Sequence, residues 1–558
     1  MYVRAKTVRH GDKAYEYLQL VEARREAGRN RQRVIATLGR LDQVSASGQL
    51  DRLIAGLARF SEHLRVVAVD RGDALAARTA KSWGPALIFG RLWERQGLPG
   101  ILGRLSAHRK FGFDVERVTF ALALQRLVAP GSDRQGAGWL ETIEAPGFET
   151  IRLHQMYRTV AALAELRGEL ERELFLADRD LFSGGLDLVC IDTTSSYVYR
   201  EHEHDGTLRR RGYSRDCTKW TRSVKRPDLL QVVVCLAVDR RGWPVAWEVF
   251  PGNTADRPAF EAMVAKLRER FCIGRICVVA DRGMIARATL AYLTGHDTSW
   301  DYILGCRLRT DKTVRDIVLA DPGPFRSLAD GLQVKDVRLG ERRYVVCRNP
   351  AEAERDARLR DGILDRLRAT LRHGPKAVVG CTKWTLCVNR GFARFLTMDK
   401  GAVAIDAAAI EADARFDGIF VLRTNTEHPA DEVARLYKGL WRVERAFREV
   451  KSTLEIRPIY HQNDEACVGH LVAGFLALRL EVDLQRRLDA AGVTTPWPDL
   501  MRDLAQVHAV VVDLDGQRYR LRTELAGSAH AGFAAAGIRP PNSVTRLGPT
   551  PATDTPDS

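Results

Sequence analysis

This chain predicts an α/β fold built on a mixed sheet, and three observations carry the prediction. Four short apolar runs, residues 186–191 (LDLVCI), 231–239 (QVVVCLAVD), 243–250 (WPVAWEVF) and 276–280 (ICVVA), have strand length, and the second is rich in β-branched residues. The second and third are separated only by Arg240-Arg241-Gly242, in hairpin style. The third and fourth are separated by residues 256–270 (DRPAFEAMVAKLRER), a helical pattern opened by Asp256.

Taken in order, residues 1–65 alternate in short runs (YVRAKTV, AYEYLQLVEARR) around His10-Gly11-Asp12, then carry a basic stretch and a helix over 49–64. They predict a small β-hairpin and helix unit, a candidate DNA contact. Residues 66–182 predict a helical, DNA-binding unit, with apolar positions recurring every 3.6 residues over 85–96, 115–128 and 154–177. Residues 183–310 hold the four strands, a helix at 285–294 and a fifth strand at 302–306 (YILGC). Residues 311–415 mix β-like pieces (LQVKDVRLGERRYVVC, TKWTLCVNR) with a charged helix over 351–372, and predict an insertion with a sheet of its own. Residues 416–490 return to strand at 417–422 (DGIFVL) and to a long helix after Pro429. Residues 491–540 form a C-terminal unit, and 541–558 a polar, Pro-rich tail expected to be disordered.

The middle therefore reads β-β-β-α-β-α-β, insertion, strand, α. Three hairpin-linked strands followed by a crossover to a parallel strand match an RNase H-like sheet, in which the first and fourth strands are neighbours. The early hairpin argues against a doubly wound alternative. The expected architecture is α/β: an RNase H-like catalytic core interrupted by a β-rich insertion, with small β-hairpin and helical units before it.

Composition narrows the partners. Lys+Arg number 86 against 71 Asp+Glu, a net charge of +15 and a pI near 9.5. That sign favours a polyanion, because neutralised phosphates release counterions. The 10 cysteines form no C-x-x-C pair, and Cys190, Cys235 and Cys277 fall inside strand-like runs, where a thiol is a small hydrophobe. Neither a zinc site nor a disulfide frame is expected, and a reducing cytosol is the natural compartment. The start, MYVRAKTVRHGDKAYEY, lacks the apolar region of a secretory signal. The longest apolar stretch, 471–478 (LVAGFLAL), stops at Arg479, far short of a membrane span.

Three carboxylates carry the chemistry. Asp192 ends the first apolar run, Asp281 ends the fourth, and Glu444 lies on a predicted helix over 437–451 (YKGLWRVERAFREVK). The aspartates are 281 − 192 = 89 residues apart, and they meet if their strands are neighbours. Singly, an Asp after a strand is more often a turn or helix cap. Together, three acids suffice for two Mg²⁺ ions, since Mg²⁺ takes one or two carboxylates and keeps several waters. In a two-metal site one ion activates the attacking oxygen and the other stabilises the leaving oxygen of an in-line displacement. On the helix, Tyr437, Glu444 and Lys451 are seven apart and share one line. An apolar stripe of Leu436, Leu440, Val443, Phe447, Val450 and Leu454 runs beside it. Taken alone, that line is more often an ordinary solvated edge.

The 437–451 segment resembles the Tyr-Arg-Glu-Lys signature, Y-x2-R-x3-E-x6-K, of DDE transposases encoded by bacterial insertion sequences, the IS-four-like superfamily. Tyr437, Glu444 and Lys451 fall at its spacing, whereas position 440 is Leu and the nearest cation is Arg442. IDTTSSYV around Asp192 resembles the first-Asp motif, and VVADRGM around Asp281 the second. GYSRD (212–216), RPDLLQ (226–231), PGNTAD (251–256) and DGIFVLRTN (417–425) resemble intervening blocks, and YVRAK and LGRLD resemble N-terminal ones. The gap of 444 − 281 = 163 residues matches that family's β-rich insertion.

The resemblance implies DNA cleavage at the terminal inverted repeats of an insertion sequence and joining of the ends to target DNA. It implies Asp192, Asp281 and Glu444 as catalytic residues and metal ligands, with two Mg²⁺ (or Mn²⁺) ions per site. Tyr437 and Lys451, with Arg442 and Arg448, would contact DNA. Double-stranded DNA and a second copy of the chain in the DNA complex are the implied partners, with no membrane, in a bacterial cytoplasm and at the nucleoid. A non-catalytic or repurposed DNA-binding relative and a stand-alone RNase H-like nuclease are the alternatives. Three lesser signals remain: Glu201-His202-Glu203-His204-Asp205 as a metal cluster or, more commonly, a solvated loop; Trp384 and Trp441 as stacking platforms or, more commonly, core; and the basic stretch 24–33 as a DNA grip or an exposed segment.

Overall fold

The structure is a computed structural model that describes residues 1–11, 13–26, 29–58, 60, 75–181, 188–199, 207–212, 230–269, 277–281, 290–291, 293, 300–329, 331–372, 390–399, 402–452, 454, 456–514 and 516–550. The chain divides into two compact units. The first comprises Met1–Ala80, Ala509–Arg522 and Asn542–Ser558, and the second Lys81–His508 and Thr523–Pro541.

The first unit opens with β1 (Tyr2–His10), β2 (Lys13–Glu26) and β3 (Arg29–Arg40), an antiparallel three-stranded sheet. Gly11, at φ 60°, permits the tight reversal from His10 to Lys13. The basic stretch expected to follow a hairpin is its third strand, where Val34, Ile35 and Thr37 supply β-branched residues. Helices α1 (Leu41–Ala46) and α2 (Gln49–Ala58) follow, then β4 (Leu75–Ser82).

The second unit begins with helices α3 (Gly84–Arg95), α4 (Leu98–Ser106), α5 (Val115–Val128), α6 (Asp133–Trp139) and α7 (Leu153–Leu181), matching the predicted helical stretch. Asp114 caps α5 by accepting from the Arg117 N–H, and Ser132 with Gln135 forms a capping box on α6. A nine-stranded mixed sheet comes next. Its members are β5 (Leu188–Val198), β6 (Leu230–Asp239), β7 (Pro244–Pro251), β8 (Cys277–Ala280), β9 (Asp301–Gly305), β10 (Arg326–Ser327), β11 (Gln333–Leu339), β12 (Arg342–Arg348) and β15 (Ile419–Thr424). The spatial order is β10-β11-β12-β15-β9-β8-β5-β6-β7. β5 pairs antiparallel with β6 and parallel with β8, so the first and fourth strands of the prediction are indeed neighbours.

Three expectations need correction. Asp192 does not end its strand: β5 runs on through Thr193–Val198, because this β-branched, hydroxyl-rich stretch pairs residue for residue with β6. The region 311–415 does not keep all its strands to itself. β10, β11 and β12 extend the main sheet through β15, and only β13 (Leu396–Asp399) and β14 (Ala402–Ile405) form a separate pair. The piece TKWTLCVNR lies outside the described residues. Finally, the long helix after Pro429 is two helices, considered below.

Between β7 and β8 lies α8 (Asp256–Glu269); α9 (Pro350–Arg372) and α10 (Ala407–Ala414) lie between β12 and β15. After β15 come α11 (Ala430–Lys438), α12 (Trp441–Ser452), α13 (Asp464–Ala490) and α14 (Trp497–Ala505). α13 is buried along most of its length, as its near-continuous apolar sequence requires. It packs on α7 and α5, and one face of the sheet shares that core with α12. The opposite face packs on α8. The chain then returns to the first unit with β16 (His508–Leu514), β17 (Gln517–Arg522) and, after α15 (Ala529–Ala536), β18 (Val544–Pro549). These join β4 in a sheet ordered β18-β17-β16-β4. Residues 544–549, expected in a disordered tail, are thus an edge strand, a position that tolerates Pro549. Among the described residues no helix is long and apolar enough to cross a membrane.

Candidate active site

Register and alternation bring the acids together. β5 and β8 pair Ile191 with Ala280, so the next residues, Asp192 and Asp281, sit side by side on adjacent parallel strands. Cys190 and Val279 face the core shared with α12, whereas Ile191 and Ala280 face the core under α8. One residue further, both aspartates therefore face the α12 side.

Glu444 reaches the same place from α12. Val443, Ala446 and Phe447 bury the inner face of that helix, and Glu444, in its first turn, stays open to solvent at the border. Burial pushes the Asp192 carboxyl up to about 7, opposed by its hydrogen bond from the Thr193 N–H and reinforced by the charges of Asp281, Glu444 and Asp256. Glu444 is likewise raised, by burial and then by Asp281, with Arg448 pulling the other way. The three predicted acids thus share one electrostatic neighbourhood.

The predicted line of Tyr437, Glu444 and Lys451 does not lie on one helix. α11 ends at Lys438, and the Gly439 N–H bonds back to the carbonyls of Arg435 and Leu436. Leu440 bonds to Tyr437 and Arg442 to Gly439, i to i+3, before α12 proceeds. Glycine's poor helix propensity explains a break there, which a seven-residue spacing cannot reveal. Tyr437 still reaches the site: its hydroxyl donates to Asp281 Oδ1 at 3.1 Å, and its ring stacks on Phe420 at 5.9 Å. Leu440, at the position where the signature has Arg, is 7% exposed and packs in the core.

The predicted cations divide. Arg448 acts on Glu444 electrostatically. Arg442 instead lies over the β6–β7 turn, where a Cβ on Gly242 would be 3.5 Å from its own Cβ, and beside the Trp441 ring at 5.3 Å. Lys451 is on α12, but its side chain lies outside the described residues. Trp441, for which core packing was the commoner expectation, is 50% exposed. The 201–205 cluster and Trp384 lie outside the described residues. Two further residues were not among the site residues of the sequence reading. Thr193 points to the α8 side and donates from Oγ1 to Asp256 Oδ1 at 2.6 Å, which ties the strand bearing Asp192 to the start of α8. The PGNTAD block was the signal for Asp256.

Among the described residues no three His, Cys, Asp or Glu side chains are already drawn into a ligand set. Carboxylates that repel one another would not close up without a cation between them. The donors nonetheless suit a hard divalent ion: three carboxylates, one of them raised by burial and by its acidic neighbours, with solvent access beside Glu444.

Comparison with known proteins identifies the family. Residues 3–69 match the family model described as IS1634 family transposase, N-terminal domain. Residues 183–480, more than half of the chain, match the model described as Transposase DDE domain. A Sinorhizobium fredii protein named "Putative transposase y4zB" is 38% identical over 73 residues, 12% of this chain and 20% of that relative, so the chain spans about a fifth of its length. A solved piggyBac transposase synaptic complex with hairpin DNA aligns over 76% of this chain and 79% of its own, at 9% identity and a TM-score of 0.38. From the matched segment that holds Asp192, Asp281 and Glu444, the chain belongs to the family of transposases with a DDE domain.

Proposed function

We propose that this chain is the transposase of an insertion sequence, which cleaves DNA at the element's terminal inverted repeats and joins the ends to target DNA. The observation that carries the reading is the β5–β8 register, which sets Asp192 beside Asp281 on the side where α12 presents Glu444. In this reading the sheet order β7-β6-β5-β8-β9 is that of an RNase H-like core, and Tyr437, Glu444 and Lys451 are three of the four signature positions of the IS-four-like superfamily.

Asp192, Asp281 and Glu444 would hold two Mg²⁺ or Mn²⁺ ions. Bound there, the ions supply Lewis-acid stabilisation of the phosphoryl oxygens and lower the pKa of the attacking water or 3′-hydroxyl. The chain's own part is positioning. The Thr193 N–H orients one Asp192 oxygen, and the Tyr437 hydroxyl holds one oxygen of Asp281. Arg448 and Lys451 bring positive charge for DNA phosphates. Two element ends must be paired, so a homodimer on DNA is part of the proposal.

The test uses labelled duplexes carrying the element's own ends, with Mg²⁺ or with EDTA. Wild type should nick at the ends in Mg²⁺ alone, and Glu444→Gln should lose roughly 10⁴-fold in rate while still binding. Cleavage by Glu444→Gln at the wild-type rate would remove Glu444 from the site. Specific binding without cleavage by wild type would favour the repurposed DNA-binding relative.

A further inference from the structure

A group of cations lies at the end of the main sheet that carries the acids. β9 pairs parallel with β8, Ala280 opposite Leu304, so the next residues, Asp281 and Gly305, are side by side. β15 pairs antiparallel with β9, Leu422 opposite Gly305. The Cys306 N–H bonds the Val421 carbonyl at 2.7 Å, which carries that pairing one step further. Arg307 then falls opposite Phe420. Leu422 faces the core shared with α12, and Phe420, two residues before it, stacks on Tyr437, whose hydroxyl reaches Asp281. Opposed residues share a face, so Arg307 lies on the side of the acids, where it is exposed.

Three more arginines gather beyond it. Arg309 donates from Nε to Asp413 Oδ1 at 2.8 Å, and Arg394 lies 3.5 Å from the same oxygen. Arg309 and Arg415 lie against the Phe416 ring, 5.2 and 4.7 Å from its centre, and Arg394 against Phe395 at 4.5 Å. Stacking orients these guanidiniums without burying them: the Arg309 and Arg394 side chains are 46% and 36% exposed, and Arg415 is exposed. Three guanidiniums thus share one largely buried carboxylate, and the group is net positive. Neighbouring acids are engaged elsewhere: Asp316 by Arg315, Asp417 by Arg360, and Asp311 by the Val314 N–H. Arg309 leaves β9 and Arg415 leads into β15, so the group sits two strand spacings, about 10 Å, from β8. At a rise of about 3.4 Å per nucleotide, that is roughly three nucleotides of DNA.

We infer that DNA engaged at the three acids continues along the β9–β15 end of the sheet, its backbone phosphates held first by Arg307 and then by Arg309, Arg394 and Arg415. This rests on the proposed transposase function and adds the direction in which the DNA leaves the acids. Oriented guanidinium forks match the paired oxygens of a phosphate. Such contacts fix the register of the duplex and carry no sequence preference of their own.

The experiment measures binding of the full chain, across a salt series in EDTA, to duplexes carrying the element's ends. Single phosphates near the cleavage site are replaced one at a time by neutral methylphosphonate. Wild type should bind roughly 10-fold more weakly when a phosphate about three nucleotides from the cleaved bond is neutralised. Arg309→Ala with Arg415→Ala should weaken the intact duplex by a similar factor, lower the salt slope by about 2, and no longer respond to that neutral phosphate. Arg415→Ala alone keeps the Asp413 contacts and should lower the slope by about 1, which separates lost binding from a folding defect in the double variant. Arg355→Ala, on the exposed face of α9, should change neither affinity nor slope. A double variant that keeps the wild-type slope or still responds to the neutral phosphate overturns the assignment, as does an equal loss in Arg355→Ala. Metal-dependent nicking by wild type would leave the transposase reading standing in either case. Wild type that neither binds nor nicks these duplexes ends both.

Discussion

Two aspartates a short distance apart in sequence, Asp178 and Asp192, are both largely withdrawn from water, yet their surroundings are opposite. Asp178 faces Arg479, which donates to both of its oxygens at 2.8 and 2.9 Å. The Trp243 indole N–H adds a third bond at 2.9 Å, and the Arg479 guanidinium stacks on the same indole at 4.5 Å. Among the described residues Asp192 accepts one backbone N–H, its own neighbour's, and feels the charges of Asp281, Glu444 and Asp256. The first arrangement is complete as it stands and ties α7 to α13. Among the described residues the second gathers negative charge, with no cation bonded to Asp192. Carboxylates gathered without a bonded cation among the described residues distinguish the candidate site from the structural pair.

Removing the partner of Arg479 should have the larger effect on folding. Asp178→Ala leaves a buried guanidinium uncompensated, and urea unfolding should show a loss of about 3–5 kcal/mol. A loss below about 1 kcal/mol would mean that Arg479 finds other partners, and the contrast with Asp192 would weaken.

Asp192→Asn should act in the opposite direction in EDTA. The folded-state carboxyl is raised from an ordinary 3.8 to about 7. An acid raised on folding binds more protons folded than unfolded, so wild-type stability should fall as pH rises through that window and be lowest above it. The variant lacks this penalty. Its advantage should be near zero at pH about 4 and on the order of 2–4 kcal/mol at pH about 8. Added Mg²⁺ should stabilise wild type at the higher pH and leave the variant nearly unmoved. Equal pH profiles would sink the claim that Asp192 is uncompensated.

How far all this was legible in the sequence depends on what each signal encodes. The pairing of Asp192 with Asp281 was legible because hairpins followed by a helical crossover dictate which strands are neighbours. The true length of β5 was hidden, since Thr193–Ser196 interrupts the apolar run although each of those residues is buried. The joining of β11 and β12 to the main sheet was hidden for another reason. Alternation shows that a strand has a buried face, not which edge it will extend. The break at Gly439 escaped because the apolar stripe continues across it: Leu436, Leu440 and Val443 all reach the same core. Strand β18 was masked by its proline and polar residues, which an edge strand accommodates.

Tyr437 offers the smallest and sharpest test. Its signature position suggested a DNA contact, whereas its hydroxyl here donates to Asp281. The two roles separate in kinetics. If Tyr437 positions Asp281, Tyr437→Phe removes one hydrogen bond to a charged group and should lower cleavage roughly 10-fold. The Mg²⁺ concentration for half-maximal rate should rise while DNA affinity stays the same. The ring's stacking on Phe420 survives in Phe, so folding should be unaffected. If Tyr437 serves DNA instead, duplex affinity should fall with the Mg²⁺ dependence unchanged. Removal of an oriented Asp281 oxygen perturbs cation binding before it perturbs anything else, so the Mg²⁺ titration is where a positioning role must appear.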